Sequence, residues 1–225
     1  MIQAVILAGG AGTRMGGQCK ALINIEGKPF ITRLIETLAR AEVYNPLVLT
    51  YEWPLRAPDI QHLDDGGQRL GTGGALLPAL PKLADPFMVL NGDSFVPGLD
   101  YAAVVREFQR RKEEGMAGLM VVYPDIGNID HGNANFVSGY ITDYCKDPLA
   151  DETFEYVDAG VFITTPDKLS QYAEGAVPPF DLSVIYTGMI RAGVLAGYEV
   201  KTVPYEIGSP EGLERYRQAV REGRA

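Results

Sequence analysis

Short apolar runs, separated by stretches with helical spacing, recur along this chain. Residues 3–8 (QAVILA) read as a first strand. Residues 29–41 (PFITRLIETLARA) read as a helix opened by Pro29, which suits a first helical turn. PLVLTY at 46–51 is a second strand, TGGALLPAL at 72–80 a short helix interrupted by Pro78, and FMVLNGD at 87–93 a third strand. The third is apolar until its C-terminal end, as expected of a strand covered on both faces. A long amphipathic helix follows over 100–114, then strands near 117–123, 138–144 and 156–163, helices near 167–173 and 181–192, a strand near 198–204 and a last helix from 209. Ser209, Pro210 and Glu211 suit that last helix as N-cap, N1 proline and first-turn acid.

This order implies βαβ units and a Rossmann-like, doubly wound, mostly parallel sheet with antiparallel additions in its second half, in three layers α/β/α. No repeat, low-complexity tract or linker breaks it, so a single domain over 1–225 is expected. Residues 124–135 (PDIGNIDHGNAN) read as a mobile loop rich in Asp, Asn and Gly. Ligands of such sheets bind outside the carboxyl ends of the strands, where LAGGAGTRMGGQCK (7–20) and Asn91-Gly92-Asp93 both fall.

The glycine loop fits neither familiar phosphate motif. Met15 stands where a dinucleotide fingerprint needs glycine, and Gln18-Cys19 stand where a Walker A loop needs Lys then Ser or Thr. Its chemistry still suits a polyphosphate: glycines let backbone N–H groups approach an anion, and Arg14 and Lys20 supply a bidentate fork and a point charge. A tight strand-to-helix turn with surface cations would contain the same residues. Asp93 ends an apolar strand, where a carboxylate is costly without a partner, and beside a phosphate loop the fitting partner is Mg²⁺. Glu206, just before the last helix, is a candidate second ligand; a surface glutamate is the plain alternative.

Composition narrows the picture. The 225 residues, 46% of them hydrophobic, fit a globular enzyme-like core, and no apolar stretch reaches membrane-spanning length. The apolar run at the start leaves no basic n-region for a signal peptide, and only two cysteines, Cys19 and Cys145, occur; a cytoplasmic setting with free thiols is expected. A net charge of −9 speaks against a nucleic acid partner, and Arg110-Arg111-Lys112, followed by Glu113-Glu114, reads as a solvated helix face. The only histidines, His62 and His131, accompany no G-x-S-x-G elbow, so a histidine-based hydrolase is disfavoured. Trp53 reads as a surface-loop packing residue.

In order along the chain, LAGG-x-GTRM, the following lysine, GKP, LGTGGAL, VLNGD, HGN, the lysine of YITDYCKDP, VDAGVFI and EIGSPEGLERY resemble the sugar-1-phosphate nucleotidyltransferases. The short length and the IGSPEGL ending are most similar to the branch that includes heptose 1-phosphate guanylyltransferases and N-acetylmuramate 1-phosphate uridylyltransferases. The resemblance implies the nucleotide-diphospho-sugar transferase fold. It also implies in-line attack of a sugar 1-phosphate on the α-phosphate of a nucleoside triphosphate, giving an NDP-sugar and pyrophosphate. It assigns nucleotide contacts to Leu7, Ala8, Gly9, Gly10, Ala11, Gly12, Thr13, Arg14, Lys20, Gly71, Thr72, Gly73, Asn91, Gly92 and Asp93. Gly132, Asn133, Lys146 and Asp158 fall on the sugar side, Mg²⁺ on Asp93 and Glu206, and catalysis on Arg14, Lys20, Asp93 and Lys146. The short loop between Arg14 and Lys20 resembles molybdopterin guanylyltransferase and cytidylyltransferase loops, which leaves the base open. Glu206 where Asp is commoner, Cys145 where Glu is common and Asp158 where Asn is usual leave the sugar open too. Three readings therefore compete: a sugar-phosphate nucleotidyltransferase, a nucleotidyltransferase acting on a non-sugar phosphate, phosphonate or molybdopterin-type acceptor, and an inactive nucleotide-sugar binding or regulatory module.

Overall fold

A computed structural model of the chain describes residues 2–10, 19–41, 43–51, 60–126, 132–149 and 151–225. In chain order it contains β1 (Ile2–Leu7), a 3₁₀ turn (Lys20–Leu22), β2 (Asn24–Ile25), β3 (Lys28–Pro29), α1 (Phe30–Arg40), β4 (Val43–Thr50) and β5 (Gln61–Asp64). Next come α2 (Gly71–Gly74), a 3₁₀ segment (Leu77–Lys82), β6 (Phe87–Asn91), β7 (Ser94–Phe95), α3 (Tyr101–Glu113) and β8 (Gly118–Pro124). The chain continues through β9 (Ala134–Val137), β10 (Tyr140–Tyr144), β11 (Tyr156–Thr164), α4 (Pro166–Tyr172), α5 (Leu182–Arg191), β12 (Leu195–Glu199), β13 (Tyr205–Glu206) and α6 (Pro210–Arg221).

Nine strands form one sheet in the order β5-β4-β1-β6-β11-β8-β12-β10-β9. β5, β4, β1 and β6 run parallel, which aligns their carboxyl ends on one edge; β11 lies antiparallel between β6 and β8. The period-2 alternation of strands puts Ile2, Ala4 and Ile6 of β1 into one core with Phe30 and Leu34 of α1 and Phe108 of α3. Val5 faces the opposite core, with Leu182, Ile185 and Met189 of α5. These two apolar layers make the sandwich α/β/α.

Several boundaries differ from the sequence pattern. β4 starts three residues before the expected strand because Asn45 (φ +47) and Pro46 form a bulge opposite β1, so the proline interrupts pairing without ending the strand. The expected helix at 72–80 is split into α2 and a 3₁₀ segment, since Pro78 and Pro81 remove backbone donors. The strand expected at 198–204 is β12, shifted toward Leu195. Gly197 sits inside it because a Cβ there would lie 2.5 Å from the Phe136 ring, so the glycine serves packing and marks no turn. The expected loop at 124–135 is shorter: Pro124 ends β8 and Ala134 begins β9, while 127–131 fall outside the described residues. The solvated-face reading holds for Arg110 and Lys112, which are exposed, and fails at Arg111. Arg111 is buried, donates to Gly139 O at 3.0 Å and lies 4.4 Å over the Tyr140 ring, tying α3 to the β9–β10 turn.

Candidate active site

The carboxyl ends of β1, β4 and β6 open onto a cavity of about 570 Å³ floored by Leu7, Ala8, Gly9 and Gly10. Ala8 N–H donates to Leu49 O at 2.8 Å and Gly92 N–H to Leu7 O at 2.9 Å, which holds the three strand ends together. A Cβ on Gly92 would meet Leu7 O at 2.6 Å, so only glycine lets the Asn91–Asp93 turn lie against the end of β1. The facing wall is the α2 loop. Gly71 has φ +76, and Gly73 and Gly74 N–H both donate to Phe180 O at 3.0 and 3.1 Å. Any side chain on Gly71 would run into the backbone of Phe180, which couples this glycine run to the segment before α5.

A second cavity, of about 920 Å³, shares Asn91, Asp93 and Lys146 with the first. Gly132, Asn133, Asp158 and Glu206 line it. β11 bulges here: its register against β8 slips between Asp158 and Phe162, and Gly160 has φ +73. A Cβ on Gly160 would meet Asn91 Nδ2 at 2.7 Å, so the bulge lets β11 close over the end of β6. Asn133 Oδ1 accepts from Asp158 N–H at 2.8 Å, fixing that wall, and Gly160 N–H donates to Asp158 Oδ1 at 2.8 Å. Burial pushes the Asp158 carboxyl up to about 6, and the single hydrogen bond from Gly160 offsets this only in part.

Charged groups converge where the cavities meet. Lys20 Nζ lies 2.9 Å from Asp93 Oδ2. β13 pairs antiparallel with β7, setting Glu206 opposite Ser94, and Ile207 N–H donates to Asp93 O at 2.9 Å. A Cβ on Gly208 would stand 2.5 Å from Glu206 Oε1 and 3.0 Å from Lys20 Nζ, so the glutamate, the lysine and the glycine crowd one point. The ribbon is braced from behind. Ser209 caps α6 by accepting from Gly212 N–H at 3.0 Å, and the Tyr216 ring of α6 packs on Tyr205 at 5.5 Å and Phe95 at 5.9 Å. Among the described residues no group of three or more His, Cys, Asp or Glu forms a ready cation cage. Two carboxylates completed by phosphate and water are the donor set Mg²⁺ takes in phosphate-transfer sites, and Asp93 with Glu206 fits it.

On the rim between the cavities Lys146 Nζ lies 2.6 Å from Asp181 Oδ2. Asp181 Oδ1 accepts from the Thr72 hydroxyl at 3.1 Å, and that hydroxyl accepts from Leu182 N–H at 3.0 Å. Burial raises the Asp181 carboxyl, but the bonds from Lys146 and Thr72 outweigh it and leave the group below its ordinary value.

Ala11, Gly12, Thr13 and Arg14, expected around the phosphates, lie outside the described residues, as do Trp53 and His131. The remaining nucleotide-side candidates that line the first cavity include Lys20, Gly71, Thr72, Asn91 and Asp93. Sequence reasoning missed Thr50, Asp65, Arg69 and Asp181, which line it as well. Arg69 stands 4.4 Å over the Tyr51 ring, and its position directly before LGTGG was the available signal. Asp181 reads as an ordinary N-cap, yet it makes no side-chain cap bond and turns to Thr72 and Lys146 instead. The Cys19 thiol is pushed up by burial and lies 3.8 Å from Ala8 O, which disfavours a thiolate there.

Solved structures share this architecture. HddC from Yersinia pseudotuberculosis complexed with GMP-PN superposes with a TM-score of 0.78 at 21% identity, covering 98% of this chain and 100% of that one. UTP-bound UGPase from Acinetobacter baumannii gives 0.76 at 16%, covering 98% and 93%. These likenesses establish the nucleotide-diphospho-sugar transferase fold. The chain belongs to the family of the MobA-like NTP transferase domain, whose model matches residues 4–131. Among curated relatives, the bifunctional protein GlmU of Neisseria gonorrhoeae is 29% identical over 215 residues, 90% of this chain and 46% of that protein. The N-acetylmuramate alpha-1-phosphate uridylyltransferase of Caulobacter vibrioides is 28% identical over 229 residues, 92% of each. The chain thus spans about half the length of the GlmU relatives it matches.

Proposed function

We propose that this protein transfers a nucleotidyl group from a nucleoside triphosphate to a sugar 1-phosphate, with Mg²⁺, in one domain, releasing pyrophosphate and an NDP-sugar. The observation that carries this reading is the pair of cavities meeting at Asp93 and Lys146: two ligands loaded from opposite sides would present their phosphates to each other at that border. An oxygen of the acceptor phosphate attacks the α-phosphorus in line, and the α–β bridging P–O bond breaks, its electrons leaving with pyrophosphate. Backbone groups of the glycine loop and Lys20 hold the triphosphate, and Lys146 holds the acceptor's phosphate in attack geometry. Mg²⁺ held by Asp93 and Glu206 would supply charge neutralisation for the meeting of two anions. The similarity to a uridylyltransferase acting on N-acetylmuramate 1-phosphate supports a sugar-phosphate acceptor over a non-sugar one.

The test is a pyrophosphate-release matrix of ATP, GTP, CTP, UTP and dTTP against a panel of sugar 1-phosphates, with and without Mg²⁺. One productive, Mg²⁺-dependent pair is expected. Silence across the matrix, with nucleotide binding intact by calorimetry, would turn the assignment to a non-sugar acceptor or a regulatory module.

A further inference from the structure

The border between the two cavities carries a link that the proposed chemistry does not itself require. Phe180 N–H donates to Leu70 O at 3.0 Å, and Phe180 O accepts from both Gly73 and Gly74, so the glycine-rich α2 loop and the residues before α5 are held by three backbone hydrogen bonds. The Thr72 hydroxyl is fixed on both sides, donating to Asp181 Oδ1 and accepting from Leu182 N–H. Thr72 and Asp181 are therefore tied to each other through side chain and backbone alike. The other oxygen of the same carboxylate takes Lys146, which follows β10 far along the chain and is half exposed. A half-exposed lysine on a flexible stem has many rotamers, and an exposed ion pair alone orders it weakly. Here the anion is already immobilised by Thr72, so the entropy of orienting the pair falls on the lysine alone.

We propose that Asp181 is a positioning residue: through its two oxygens it ties the nucleotide-side loop at Thr72 to Lys146, so that filling the nucleotide cavity pre-orients the lysine that receives the acceptor's phosphate. This rests on the nucleotidyl-transfer reading above. A nucleotide that contacts Gly71 and Thr72 restrains the Leu70–Gly74 loop and, through its hydrogen bonds, residues Phe180–Leu182, which lowers the ordering cost of the second ligand and gives positive coupling between sites without a large movement.

The test compares wild type, Asp181→Asn, Lys146→Ala and the double variant, using the productive pair from the matrix. Asp181→Asn keeps an oxygen for Thr72 and removes the charge facing Lys146. The acceptor KM is expected to rise about tenfold, with kcat and calorimetric nucleotide Kd changing less than about threefold. Melting temperature should stay within about 2 °C. The tightening of acceptor binding by a non-hydrolysable nucleotide should disappear in the variant. In the double variant the two effects should fail to add, since both remove one link. An unchanged acceptor KM, or equal losses for both substrates, overturns the positioning role. A lower acceptor KM overturns it too, because Asp181 would then be competing with the acceptor's phosphate for Lys146. A wild type silent across the whole matrix while binding nucleotide would instead defeat the nucleotidyl-transfer reading, so the two failures are separable.

Discussion

Asp158 shows how one side chain can cost stability where it lines a site. Its folded-state pKa is about 6 against an ordinary 3.8, because burial disfavours the carboxylate. The folded chain therefore holds a proton up to pH 6 that the unfolded chain loses near 4. Stability falls as pH rises through that window and stays lower above it. Asp158→Asn keeps the oxygen that accepts from Gly160 and removes the charge, so at pH 7.5 it should stabilise the fold by at most about 3 kcal/mol, with little gain at pH 4. Melting curves at the two pH values check this, and an equal shift at both would show that the carboxylate's charge is not the cause. At the cavity border, Asp93→Asn removes the carboxylate that meets Lys20 at 2.9 Å. Pyrophosphate release is expected to fall by roughly a hundredfold or more, with a small change in melting temperature because the side chain is only partly buried. Normal Mg²⁺-dependent turnover in that variant would exclude Asp93 from the metal site. Of these two residues, Asp93 was legible in the sequence as a carboxylate ending an apolar strand. The pKa of Asp158 was not, since it depends on β11 bulging over the end of β6.

Among the elements, the β7/β13 ribbon brings residues 93 and 206 together, and α6 braces it through Tyr216. The cap of α6 was readable from Ser-Pro-Glu, because capping is a local property of the first turn. The two-residue ribbon was not readable, since strands that short carry no periodicity. Gly208 tests it. Its missing Cβ leaves room for the ends of Glu206 and Lys20, both flexible, so Gly208→Ala should shift those ends and leave the backbone in place. Turnover should drop about tenfold or more while melting temperature moves by less than about 3 °C. Melting curves beside pyrophosphate assays distinguish this from general damage. A large fall in melting temperature with normal specific activity would mean that the glycine serves the turn and not the site.

At the scale of the whole molecule, the cavities share the border at Asp93 and Lys146, and the family match over residues 4–131 ends before Lys146, Asp158 and Asp181 are reached. Nucleotide binding to the folded chain alone must stabilise it by mass action, by about 2.7 kcal/mol at a hundredfold excess over Kd. With Mg²⁺ the melting temperature should rise further than with nucleotide alone, and the increment should vanish in Asp93→Asn. A thermal-shift series in the cognate triphosphate measures this, and equal shifts with and without the cation would argue against a shared metal. The alternation of buried strands and amphipathic helices was legible in the chain because it depends on side-chain period alone. So was the placing of Gly9, Gly10 and Asp93 at the carboxyl ends of β1 and β6, since these residues lie within a few positions of a strand. Pairings between residues distant in sequence were set by the tertiary fold: the antiparallel insertion of β11, the burial of Arg111, the approach of Glu206 to Lys20, and the Thr72–Asp181–Lys146 link. Each depends on which strands become neighbours and where a bulge or a missing Cβ lets two backbones close up, and one-dimensional spacing does not encode those distances.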